Sequence, residues 1–214
     1  AEQYLKSEDG KSVSSYRLVK NPITLELLID HITEKITIGV YVIDPKTNTV
    51  KFLCFDLDYG QDTQALEDVK KLYKACVAYF GKKKSAVVVE FSGSKGFHVW
   101  VFFSQPIPSA VARYFGREIL QKTNLTKVEL FPKQDYTTDY GNLLKLPAGL
   151  HRKSEARMTF RNPNKPTDVL SDEEILKVEP FEVPEEMIKE IQKKLETKYE
   201  KTWDECGVLH PRYR

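Results

Sequence analysis

Phe52-Leu53-Cys54-Phe55-Asp56-Leu57-Asp58 is an apolar run that closes on two acids at alternate positions. Residues two apart on a strand point to the same face, so a strand here projects Asp56 and Asp58 side by side from its end. Two carboxylates that close repel each other unless a proton or a cation intervenes. Hard divalent ions such as Mg²⁺ or Mn²⁺ take oxygen ligands of this kind. The competing reading makes one Asp the cap of the following helix and leaves the other in solvent.

Downstream, Thr63 to Phe80 places Leu66, Val69, Leu72, Tyr73, Cys76 and Val77 on one helical face, and Gly81 ends the helix. Ala86 to Phe91 and His98 to Phe103 read as two short strands around a glycine-rich turn. Pro108 to Leu120 suits a second helix, Lys127 to Phe131 a brief strand and Asn142 to Leu146 another. Upstream, Asn21-Pro22-Ile23-Thr24 opens a helix in which Leu25, Leu28, Ile29 and Ile32 recur at helical spacing. Ile36 to Ile43 follows as a strand, and the turn Asp44-Pro45-Lys46-Thr47-Asn48 makes Val50 to Leu57 its hairpin partner. After Arg161 to Pro166 the chain turns acidic from Ser171 to Glu205, and Pro184 opens a last helix striped by Met187, Ile188, Ile191 and Leu195. No internal repeat is present. This order of elements predicts an α+β core with an antiparallel sheet, of RRM-like or palm-like form.

The turn between the two short strands carries Ser92, Ser94, Lys95 and two glycines, with His98 opening the outgoing strand. Glycines let backbone N–H groups approach an anion, and Ser, Lys and His add donors and charge suited to a triphosphate. It lacks the GxxxxGK[ST] pattern of a Walker loop, and an ordinary hairpin loop is the plain alternative. Glu129 lies inside a short apolar run, where an unpaired carboxylate is costly. A metal shared with Asp56 and Asp58 would offset that cost, and so would a salt bridge to a lysine. Gly141 to Lys153 gathers Asn142, Lys145, His151 and Arg152 near one strand end, fit for phosphate contacts or for a solvated loop.

Composition narrows the rest. In 214 residues, 33 Lys+Arg against 31 Asp+Glu leave a net charge of +2, so nucleic-acid binding has no global charge signature. The run Gly81-Lys82-Lys83-Lys84 is a local exception that a solvated turn explains. No apolar stretch is long enough to span a bilayer, and no signal peptide opens the chain. Three cysteines without CxxC spacing argue against a disulfide framework, so a reducing cytoplasm is the expected location. Cys206 and His210 are too few ligands for a structural zinc site. A start at Ala1 rather than Met is what a domain cut from a longer protein would show.

Taken in order, the four segments resemble the archaeo-eukaryotic primase superfamily, most closely the primase-polymerases associated with CRISPR and related conflict systems. Asp56 and Asp58 match its DxD motif, Ser92 to His98 its SxH-type element, and Val128-Glu129 its third, single-acid motif. Leu130-Phe131-Pro132-Lys133-Gln134 and Lys145-Leu146-Pro147 resemble the same subgroup. Many relatives carry Asp where this chain has Glu129; Asp135 and Asp139 are fallback third ligands.

The resemblance implies an N-terminal α/β unit joined to an RRM-like unit, with the active-site cleft between them. It implies a catalytic core over residues 1–170 and an acidic segment and helix packed on it over 171–214. It implies two Mg²⁺ or Mn²⁺ ions on Asp56, Asp58 and Glu129, and a triphosphate gripped by Ser92, Ser94, Lys95 and His98. Lys145 and His151 would add positive charge, and Tyr16 and Arg17 would meet the incoming nucleotide, Tyr16 against the sugar. Its expected partners are a DNA template and primer, nucleoside triphosphates and CRISPR adaptation proteins, with no membrane.

Two rivals remain. A non-catalytic RRM-like nucleic-acid-binding module would stack bases on Trp100, Phe102 and Phe103, but three acids beside a phosphate backbone would oppose it. A rolling-circle nuclease or relaxase wants a His-hydrophobic-His pair, and His98 is followed by Val99-Trp100.

Overall fold

The computed structural model describes residues 2–8, 11–20, 22–80 and 86–206, with side chains from residue 16 to 197 outside the same gaps. The Gly81 stop, the lysine run after it, the Cys206 side chain and His210 lie outside the described residues. The fold is α+β.

A hairpin of β1 (Glu2–Glu8) and β2 (Lys11–Arg17) opens the chain, followed by α1 (Leu25–Ile32) and β3 (Thr37–Tyr41). Then come β4 (Thr49–Leu57), α2 (Thr63–Tyr79), β5 (Val87–Phe91), β6 (Phe97–Pro108), α3 (Ser109–Thr123) and β7 (Glu129–Phe131). Six short elements follow: β8 (Leu143–Lys145), β9 (Leu150–His151), β10 (Ala156–Arg157), β11 (Thr159–Asn162), β12 (Lys165–Val169) and α4 (Asp172–Ile175). The long helix α5 (Glu185–Cys206) comes last. One sheet runs β2-β1-β3-β8 and a larger one β12-β11-β5-β6-β4-β7, while β9 and β10 pair with each other as a two-stranded sheet.

The segment β4-α2-β5-β6-α3-β7 is a β-α-β-β-α-β unit whose strands lie in the order β5-β6-β4-β7, the RRM-like arrangement. Strand alternation divides its two faces. Leu53, Phe55 and Leu57 of β4, Val99 and Val101 of β6, and Val87 and Val89 of β5 are all buried on one side. There they meet Val69, Leu72 and Cys76 of α2 and Val111, Phe115 and Ile119 of α3 in a single core. The other face carries Cys54, Asp56, Glu90, His98 and Trp100.

The structure corrects two expectations. β3 and β4 do not form a hairpin. β3 pairs with β1 and β8 in the smaller sheet, β4 pairs with β6 and β7 in the larger, and the turn between them is closed by the bridge Asp44–Thr49 and the Asn48 N–H to the Asp44 carbonyl. The apolar stripe of α1 does not enter the core either. Leu25, Leu28, Ile29 and Ile32 are exposed, and His31 is the buried residue of that helix. Thr24 caps α1 through its side chain, so the helix start is read correctly from sequence.

Parts of the chain between Val178 and Leu195 pack on this frame. Phe181 bridges to Phe103 and donates its N–H to the Phe102 carbonyl at 2.7 Å, while Ile191 and Leu195 of α5 join the core. Among the described residues, no helix is long and apolar enough to cross a membrane.

Candidate functional site

Strand register sets the geometry. Glu90 of β5 lies opposite His98 of β6, His98 opposite Asp56 of β4, and Asp56 opposite Glu129 of β7. Directly opposed residues share a face, with Cβ atoms about 4.5–5.5 Å apart. Four titratable side chains therefore form a row across neighbouring strands, and Asp58 follows just beyond the end of β4.

A cavity of about 520 Å³ opens over this row. Asp56, Asp58 and His98 line it from the larger sheet, with Ser92, Ser94 and Lys95 from the turn between β5 and β6. Tyr16 of β2, Lys145 of β8, and His151 line it from the other side. Nine of the eleven residues singled out from sequence thus meet at one place. Glu129 and Arg17 are exposed and do not line the cavity. The fallback acids are occupied elsewhere: Asp135 accepts from Arg113 Nε at 2.6 Å, and Asp139 Oδ1 accepts the Tyr140 N–H at 2.7 Å.

Burial does not make Glu129 costly. β7 is the edge of the sheet, the Glu129 side chain is 57% exposed, and it pairs with Lys133 Nζ at 2.7 Å. The buried acid is Glu90, with a side chain 0% exposed. It stands alone among apolar neighbours in Ala86 to Phe91, the same sequence signal that drew attention to Glu129.

The acids nevertheless act on one another. The Asp56 carboxyl is held above its ordinary range by burial first and then by Asp58 and Glu129, with His98 opposing. A divalent ion relieves such crowding. Among the described residues, no three His, Cys, Asp or Glu side chains converge closely enough to hold one as they stand. The donor set fits a hard cation in chemistry and in strand placement, with Glu129 engaged by Lys133.

The basic side of the cavity is tuned by its surroundings. Burial draws Lys145 below the usual lysine range, against the opposing pull of Asp56, Glu90 and Asp58. Burial also lowers His151, with Lys145 adding repulsion. For His98, burial acts downward, but the hydrogen bond and charge of Glu90, followed by Asp56, lift it overall. Burial pushes the Tyr16 hydroxyl up to about 12, so it stays protonated.

The turn between β5 and β6 is built to be rigid. Ser92 N–H donates to the Gly96 carbonyl at 3.0 Å, and Gly96 N–H to Ser92 Oγ at 3.3 Å. Gly93 has φ 83°, and a Cβ there would lie 2.5 Å from the His151 Cβ. A Cβ on Gly96 would collide with the Leu57 carbonyl. Ser154, not anticipated from sequence, ties this turn to the 151–154 turn: its hydroxyl donates to the Gly93 carbonyl and contacts His151 Nδ1 at 2.6 Å. Arg152 serves the scaffold instead, donating to Thr37 Oγ1 and the Glu34 carbonyl.

Segment 146–149, which joins Lys145 to His151, is held from two sides. His31 Nε2 meets the Leu146 and Pro147 carbonyls at 3.2 and 3.0 Å, while its Nδ1 accepts the Ile38 N–H at 3.1 Å. From the larger sheet, Glu90 Oε1 accepts the Ala148 N–H at 3.0 Å.

The family model for the archaeo-eukaryotic primase domain of TOTE conflict systems matches residues 5–178, a span that takes in both sheets and every residue lining the cavity. No curated protein matches the chain. On that span the chain belongs to the archaeo-eukaryotic primase domain family of TOTE conflict systems, a primase-like nucleotidyltransferase family.

Proposed function

We propose that this domain is a DNA primase-polymerase, making and extending primers on a DNA template from nucleoside triphosphates. The observation that carries the reading is the cavity itself. An acid group, Asp56 and Asp58 with Glu129 beside them, shares the cavity with a set of donors: Ser92, Ser94 and Lys95 from the adjoining turn, and Lys145 and His151 from the other side. That polarity suits a triphosphate whose reacting end lies at the acids and whose outer phosphates lie at the donors.

In this reading Asp56, Asp58 and Glu129 hold two Mg²⁺ or Mn²⁺ ions, which would lower the pKa of the primer 3′-hydroxyl and neutralise charge on the departing pyrophosphate. The turn hydroxyls of Ser92 and Ser94 and the Lys95 ammonium bind phosphate oxygens. His98 presents Nε2 to the same space, and Lys145 balances the negative charge that gathers there. Tyr16, protonated at every working pH, packs on the sugar and favours deoxyribose, and Arg17 stands next to it on the strand. We assign residues 1–170 to the catalytic core and 171–214 to a segment that supports it through Phe181, Ile191 and Leu195. A role in CRISPR adaptation rests on the sequence resemblance, whereas the matched family model names TOTE conflict systems.

Primer extension with a labelled template–primer, deoxynucleoside triphosphates and Mn²⁺ tests the reading. Wild type extends the primer; the Asp56→Ala/Asp58→Ala double variant keeps its circular dichroism spectrum and extends nothing. Extension by the double variant at the wild-type rate overturns the assignment. Retained template binding with no synthesis by the wild-type protein would favour the RRM-like binding module instead.

A further inference from the structure

Glu90 is a fully buried carboxylate outside the acid group assigned to metal, and three donors converge on it. Oε2 receives Trp100 Nε1–H at 2.9 Å and contacts His98 Nδ1 at 2.9 Å, while Oε1 receives the Ala148 N–H at 3.0 Å. A buried carboxylate persists only when such bonds replace its water. Trp100 Nε1 and the Ala148 amide can only donate, and for an ionised Glu90 His98 must do likewise. Its proton then sits on Nδ1, and Nε2 faces the cavity, 3.7 Å from Asp56 Oδ1. The Trp100 ring lies edge-on to the His98 ring at 86°, with 5.6 Å between centroids.

We propose that Glu90 is a positioning residue for triphosphate binding, turning His98 Nε2 into the cavity while pinning, through Ala148, the segment that carries Lys145 and His151. One carboxylate thereby sets the spacing between opposite rims of the site. The inference rests on the nucleotide-binding reading above. It adds to it a residue that contacts neither phosphate nor metal. Outer partners that orient a metal-ligating histidine typically carry about 10- to 100-fold in affinity or activity, and an effect of that order is expected for a histidine oriented toward phosphate.

Two measurements test it. The first is the nitrogen shift pattern of His98 in ¹⁵N-labelled protein without nucleotide. A protonated Nδ1 is expected, and a bare Nδ1 overturns the proposal whatever the variants do. The second is calorimetric titration with dATP and Ca²⁺, comparing wild type, Glu90→Gln and Trp100→Phe.

Glu90→Gln should weaken dATP binding about 10- to 100-fold. Trp100→Phe, which removes one donor and leaves the Glu90–His98 contact, should stay within about threefold. Equal losses in both variants, or unchanged affinity in a folded Glu90→Gln protein, overturn the role. Should Glu90→Gln not fold, Glu90→Asp takes its place, with a loss of affinity expected and wild-type affinity overturning. No dATP binding by the wild type overturns the nucleotide reading and this role together, whereas binding indifferent to Glu90 overturns the role alone.

Discussion

Asp56 shows what the site costs. Its folded-state pKa lies above the unfolded value because burial and the neighbouring acids disfavour its charge. Between those two values the folded chain binds more protons than the unfolded one, so stability falls as pH rises through the interval. Below the unfolded pKa, about 3.9 for Asp, the penalty is absent. In EDTA, Asp56→Asn should therefore melt higher than wild type at pH 7, by about 2–4 °C for each kcal/mol relieved. That advantage should vanish as pH falls below about 3.9, and primer extension should be lost throughout. Thermal melts at the two pH values check the sign, and an equal gain at both would point to packing instead. The two lone acids of the chain also show where residue-level reading stops. Glu90 and Glu129 occupy similar apolar runs, yet one lies on an inner strand and the other on an edge. Sheet position decides burial, and it depends on pairings far apart in sequence.

Secondary elements with strong local periodicity were legible. α2, α3, α5 and the strands β4 to β7 follow from their apolar spacing, and their order gives the RRM-like unit. The smaller sheet was legible only in part: β3 and β8 are read as strands from sequence, whereas β1 and β2 are rich in polar residues and show no apolar period. β3 finds its partner about a hundred residues away in β8, so a local hairpin rule chose the wrong neighbour. The joint between the sheets predicts a clear phenotype. His31→Ala strips the partner from the Ile38 N–H and from the Leu146 and Pro147 carbonyls and leaves a void. The cost should be about 2–5 kcal/mol in urea unfolding. Gly93→Ala forces a strained φ and a clash with His151, so dATP affinity should fall along with stability. Wild-type affinity in that variant would show that the turn does not grip the phosphates.

At the scale of the whole molecule, the larger sheet separates two tasks. Its helix-covered face holds most of the core, while its other face holds the acid row beside the buried Cys54 and Trp100. α5 packs on α3, on the helix side. Ile191→Ala should therefore cost about 2–4 kcal/mol in unfolding free energy while leaving kcat/KM per folded molecule unchanged. A fall in kcat/KM at full folding would show that α5 reaches the cavity. Of the nine singled-out residues that line the cavity, Asp56, Asp58, the 92–98 turn, Lys145 and His151 were legible because they sit near strand ends or in turns, whereas Tyr16 was expected only from the family resemblance. The boundaries of the larger sheet carry a different meaning. β7 offers only three residues before Pro132, and β12 at the opposite border bears Lys165, Pro166 and Asp168. Short length, proline and charge deny a foreign strand the continuous row of free amides and carbonyls on which fibrils and misassembled polymers grow. A protein built around an open sheet can in this way remain dispersed when crowded.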